Sequence, residues 1–96
     1  MKMFLIVSNI GIHEEIIDIL KECGVNEYTR IERAQGVGKT SGPHLGTNVW
    51  PSWNTIFFTV IEDEKEKLMI EKFKEAKEKY KKEGLKVFII PVENEI

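Results

Sequence analysis

The chain has 96 residues, enough for one domain with a core but with a high surface-to-volume ratio. Its 14 Lys and Arg nearly balance 16 Asp and Glu, leaving a formal charge of −2 and no basic field to attract nucleic acid. One cysteine, Cys23, excludes an internal disulfide framework, and the apolar run at residues 3–7 is too short for a signal-peptide core or a membrane span. A cytoplasmic protein without membrane insertion is the expectation.

Residues 3–8 are apolar up to the last, as in a central strand with both faces buried. A turn at residues 9–11 leads into a helix over residues 12–23, with Ile16, Leu20 and Cys23 on one face and His13, Glu14, Asp18, Lys21 and Glu22 turned away. Glu14 and Glu15 suit the positive end of the helix dipole, and Gly24 stands where a C-terminal glycine cap belongs. Residues 27–35 read as a second strand of weak alternation, near an edge or against another subunit. Thr29, Ile31 and Arg33 are expected on one face, with Tyr28, Arg30, Glu32 and Ala34 on the other.

Residues 36–54 have neither helical period nor strand alternation and are crowded with glycine, proline and small hydroxyl residues. So long a loop in a compact domain is functional or disordered far more often than a plain connector. The next strand, residues 54–61, is β-branched and aromatic. A long helix follows to about residue 83, with Asp63 as N-cap and Glu66 as its capping-box partner. Met69, Phe73, Ala76 and Tyr80 form its apolar stripe, while Glu75–Lys79 and Glu78–Lys82 are candidate ion pairs on a solvated face. Gly84 ends the helix, and residues 85–90 make the last strand, closed by Pro91.

The order βαββαβ predicts an α+β, ferredoxin-like domain over residues 1–96: a four-stranded antiparallel sheet with both helices on one face. Apolar side chains at Phe57 and Phe58, and again at Phe88, Ile89 and Ile90, serve both faces of that sheet. The helices cover only one, so the other is expected to need a partner, most simply another copy.

Three phosphate-cradle motifs compete for the glycines of the loop. A Walker A loop needs a glycine where Arg33 stands and a helix next, which Ser41, Gly42 and Pro43 will not start. The third glycine of a dinucleotide fingerprint falls on Ser41. The phosphate loop of acylphosphatases lies after the first strand and carries an arginine, whereas here the glycines follow the second strand and Lys39 comes next. None of the three fits.

Gly-Val-Gly-Lys at residues 36–39, then the long loop, then a proline-containing entry into an apolar strand, resembles the PII nitrogen-regulatory signal-transduction family. The resemblance implies a compact homotrimer with a flexible T-loop between strands two and three. It places Gly36, Gly38 and Lys39 at the T-loop base, where family members hold ATP or ADP, and Thr40 at a ligand-sensing glutamine. Lys86 falls on a phosphate-binding lysine before the last strand. The usual phosphate-binding loop is missing, because the helix runs almost directly into Leu85, and no tyrosine lies in residues 36–54. The likeness is therefore to a divergent, PII-like branch.

Inside the loop, His44 is a candidate metal ligand that needs symmetry copies, or Cys23 or His13, to complete a site. Trp50 and Trp53 are candidates for stacking on an adenine or a partner, or for packing the loop against a subunit interface. Two functions remain open. One is a regulatory module in which ATP, ADP or AMP orders residues 37–53, which then dock on a target protein. The other is a metal-binding trimer resembling the CutA-type proteins. No nucleophile–base pair or carboxylate dyad is visible, so no enzyme is expected.

Overall fold

A computed structural model describes residues 1–37 and 52–96. The elements are β1 (Lys2–Asn9), a short 3-10 turn (Ile10–Ile12), α1 (His13–Glu22), β2 (Thr29–Gly36), β3 (Ser52–Ile61), α2 (Asp63–Lys79) and β4 (Leu85–Pro91). The strands form one antiparallel sheet in the order β2-β3-β1-β4. This is the expected ferredoxin-like arrangement.

β1 is central, and its alternation decides what the sheet does with its two faces. Phe4, Ile6 and Ser8 are fully buried, while Met3, Leu5 and Val7 on the opposite face are only half-buried. The expectation of two buried faces therefore holds for one of them. Phe4 and Ile6 join Phe57, Ile61 and Leu85 from the other strands, and Ile16, Leu20, Met69, Phe73 and Ala76 from the helices, in one core. Both helices therefore lie on that face. Phe4 and Phe73 rings stand 6.4 Å apart and tilted, which locks α2 to the middle of the sheet.

α1 carries Ile16, Leu20 and Cys23 inward as their spacing requires. Gly24 follows with φ of 73°, the left-handed conformation that ends a helix and that a glycine adopts without a Cβ clash. Its carbonyl oxygen accepts a 2.6 Å bond from Lys65 Nζ, and Lys72 pairs with Glu22 at 3.2 Å, so α2 fastens the end of α1.

Three expectations for α2 are corrected. Glu62, not Asp63, is its N-cap, and no side chain caps the first turn. Asp63 is already helical and takes the Met1 ammonium at 3.1 Å instead. The helix also stops at Lys79 rather than near residue 83. Consequently Lys82 lies beyond its end, and Glu78 pairs with Lys81 at 3.1 Å in place of Lys82. No ion pair joins Glu75 to Lys79 among the described residues; Lys79 Nζ lies 5.3 Å from the Tyr80 ring centroid. The early stop has a packing cause. The chain must turn over residues 80–84 to bring Leu85 level with Ser8, and Asn9 N–H donates to the Gly84 carbonyl at 2.8 Å as the first bond of that pairing.

Ser8 leaves a polar group stranded in the core. Its hydroxyl is fully buried beside Thr55 and Leu85 and has no hydrogen-bond partner. A buried hydroxyl without a partner costs about 1–3 kcal/mol of desolvation. Ser8→Ala is therefore expected to leave stability unchanged or to raise it by up to about 1 kcal/mol. A urea unfolding midpoint that falls markedly in this variant would show that Ser8 is satisfied.

Candidate functional site

The two stems of the loop are the end of β2 and the start of β3, and the described residues there are Val37 and Ser52 onward. Gly38, Lys39, Thr40, His44 and Trp50, named from the sequence as ligand, metal or partner residues, lie outside the described residues. Gly36, Trp53 and Lys86 lie within them.

Gly36 is the last residue of β2 and pairs with Ser52. A Cβ there would sit 2.5 Å from Asn54 Nδ2, so the absence of a side chain lets Asn54 close over the stem. Trp53 pairs with Gln35 and is 37% exposed. The Arg33 guanidinium stands over its ring, 5.4 Å from the centroid, a cation–π contact.

That contact arises from an irregularity which the sequence does not announce. Between Ile31, which pairs with Ile56, and Ala34, which pairs with Asn54, β2 carries one residue too many. The bulge is made at Arg33, the only non-glycine among the described residues with positive φ, at 61°. Parity breaks at this point, so the expected alternation of Thr29, Ile31 and Arg33 against Arg30, Glu32 and Ala34 fails beyond Ile31. Ala34 shares a face with Ile31 and Thr29, not with Arg30. The edge position expected for this strand is correct. Arg30 meanwhile engages Glu32 at 2.8 Å.

Lys86 is the second residue of β4 rather than a residue before it, exposed and level with Val7 and Ile56. Through this register Lys86 and Gly36 share the uncovered face and the same end of the sheet, but occupy opposite edges. Three strand spacings and four residues of rise separate them, roughly 20 Å. Within one chain they cannot touch the same phosphate group.

The metal candidates are not brought together either. His13 and Cys23 bracket α1, about 15 Å apart at 1.5 Å per residue. His13 Nδ1 is 2.8 Å from the Ile10 carbonyl oxygen. Burial pushes the Cys23 thiol above its usual range, with Lys72 pulling the other way. Among the described residues no three His, Cys, Asp or Glu side chains converge as metal ligands. No helix among them is long and apolar enough to cross a membrane.

The face away from the helices is the largest feature in reach of the site. Cross-strand rows Phe58–Leu5–Phe88 and Val60–Met3–Ile90 run over it, followed by Ile31–Ile56–Val7. Phe88 and Ile31 are each 48% exposed, far more than side chains of this kind in a finished core.

A ferredoxin-like sheet with one bare apolar face and a long insertion between its second and third strands places the chain among small α+β domains. Residues 1–96 match the model of the family described as nitrogen regulatory protein P-II, and the chain belongs to that family. No curated protein matches it by sequence. Among solved structures it is similar to CPII, a nitrogen regulatory PII-like protein from Thiomonas intermedia K12 bound to ADP, AMP and bicarbonate. The TM-score is 0.68 at 20% identity, over 99% of this chain and 94% of that one. The apo form of the same protein gives 0.66 at 18% identity, covering 95% and 89%. A PII-like protein from Thermus thermophilus gives 0.66 at 17% identity, covering 92% and 81%. The bulge at Arg33 and the closure of Asn54 over Gly36 went unread in the sequence, since arginine carries no turn signal and Asn54 reads as the start of a strand.

Proposed function

We propose that this chain is a cytoplasmic, non-catalytic signal-transduction protein of the PII type, a single domain that works as a homotrimer. A small anionic effector, an adenine nucleotide, binds at the base of residues 37–53, and that stretch then contacts a target protein. Membership of the P-II family supports the regulatory role, and the ADP, AMP and bicarbonate held by CPII support the effector class. The observation that carries the reading is the placement of Gly36 and Lys86 on one face, at one end, but on opposite edges. Two copies packed through that face can bring the lysine of one toward the glycine stem of the other, so the site belongs to the cleft between subunits. Gly36, Gly38, Lys39, Thr40 and Lys86 are the proposed ligand contacts, and His44, Trp50 and Trp53 the proposed loop or partner contacts. No observation favours the metal-binding alternative.

The short turn over residues 80–84 takes the place of a phosphate-binding loop, so fewer backbone N–H donors are on offer. Affinity should accordingly be micromolar to millimolar, about −8 to −4 kcal/mol. Calorimetry with ATP, ADP and AMP, and separately with zinc, copper and nickel ions, tests the reading. At least one nucleotide is expected to bind, and Lys39→Ala or Lys86→Ala to weaken it. A single metal saturating at a fixed ratio to the trimer, lost in His44→Ala and with nucleotides silent, would establish the metal function in its place.

A further inference from the structure

We propose that Arg33 is an additional anion-binding residue at the loop stem, its guanidinium held by Trp53 so that its N–H edge receives a phosphate group. The proposal rests on the nucleotide reading for the identity of the ligand but not for the binding of an anion. Three observations carry it.

The first is conformational. Arg33 sits at φ of 61°, in the left-handed region that a glycine would occupy at lower cost. A strained backbone position filled by a long charged side chain is a place where the side chain has a use that the backbone does not explain. The second is the stack itself. Cζ stands over the Trp53 ring, 5.4 Å from its centroid, a cation–π contact that uses none of the guanidinium's N–H donors on an acceptor and leaves them for an anion. The third is electrostatic. Glu32, the acid next to it in the chain, is engaged by Arg30 at 2.8 Å, and no carboxylate lies within ion-pair distance of Arg33 among the described residues. Trp53 alternates with Thr55 and Phe57, so the pair stands on the helix side of the stem, across edge strand β2 from the face that Gly36 and Lys86 share, and offers an oxyanion a contact around that open edge.

The two stems also give the arrangement a consequence. Arg33 belongs to β2 and Trp53 to β3, so an anion that takes the guanidinium changes the environment of the indole at the root of the loop.

The test uses the full-length chain, titrated with the adenine nucleotides ATP, ADP and AMP and with inorganic pyrophosphate, followed by calorimetry. Arg33→Gly is the main variant because it removes the guanidinium while relieving the positive φ, so its thermal midpoint should equal or exceed that of the parent. It is expected to weaken both kinds of probe at least tenfold, with Arg33→Lys between the two, since lysine keeps the charge and loses the planar fork. Unchanged affinity for both kinds of probe in Arg33→Gly overturns the assignment and leaves the nucleotide reading standing. A parent chain that takes pyrophosphate but none of ATP, ADP and AMP, with the pyrophosphate lost in Arg33→Gly, overturns the nucleotide reading and upholds the assignment. A parent chain that takes neither pyrophosphate nor any of the three nucleotides overturns both.

Discussion

Phe57→Ala is expected to cost about 3–5 kcal/mol. The ring is fully buried in β3, a strand flanked by β2 and β1, where it stands level with Ile6 and Arg30. Tyr28 meets it edge-on at 5.7 Å between centroids, so the stretch before β2 leans on it as well. Truncation would leave a void that neither the sheet nor Ile6 can fill without breaking the β1–β3 register. A domain of this size is stable by some 5–15 kcal/mol, and each kcal/mol shifts its midpoint by roughly 4–8 °C. The variant should therefore melt about 12–40 °C lower, when circular dichroism is compared at one protein concentration. A shift of only a few degrees would mean that the helices do not close over β3 as described.

The second large effect concerns association. Wild type is expected to scatter light, behind size exclusion, as three times the protomer mass, and Phe58→Glu as one. Phe58 lies in the middle of the row Phe58–Leu5–Phe88 on the bare face and is half-buried even in the single chain. A carboxylate in the centre of a packed apolar interface must be desolvated without a partner, which costs several kcal/mol in every subunit. The protomer's own core lies on the opposite face, so the variant should remain folded, with far-ultraviolet circular dichroism unchanged. A wild-type monomer at micromolar concentration would remove the trimer, and with it any site formed between copies.

Most of the fold was legible because its elements obey a simple period. Residues 3–8 and 54–61 read as strands from composition, and Ile16, Leu20 and Cys23 marked the buried side of α1. The end of α2 was not legible. Tyr80, Lys81, Lys82 and Glu83 are tolerable helix formers, and what stops them is distant: Leu85 must reach Ser8 across the sheet. Tertiary demand overrode local propensity. The same applies to the cap, since nothing local indicates that Asp63 is drawn to the Met1 ammonium. At the site the limit was of another kind. A glycine at Gly36 reads as a turn, and the structure adds that Asn54 fills the space a Cβ would take. The bulge at Arg33 had no composition cue at all, because the residue holding the left-handed conformation is not one that favours it.

The strand order bears on how the chain comes to be folded while it is being made. β1 emerges first, yet both of its neighbours arrive late: β3 begins at Ser52 and β4 at Leu85. At synthesis rates of about 5–20 residues per second, the pairing of Lys2 with Pro91 waits roughly 4–16 s after β1 is complete. Until then Phe4 and Ile6 have no finished core to enter, and one edge of β1 stays open. Among the described strands, β2 and β3 alone are sequence neighbours that pair, and the long loop between them delays even that hairpin. The nascent chain therefore depends on whatever shields its first strand, and a cell that overproduces it should see the unfinished chains aggregate before the finished ones do.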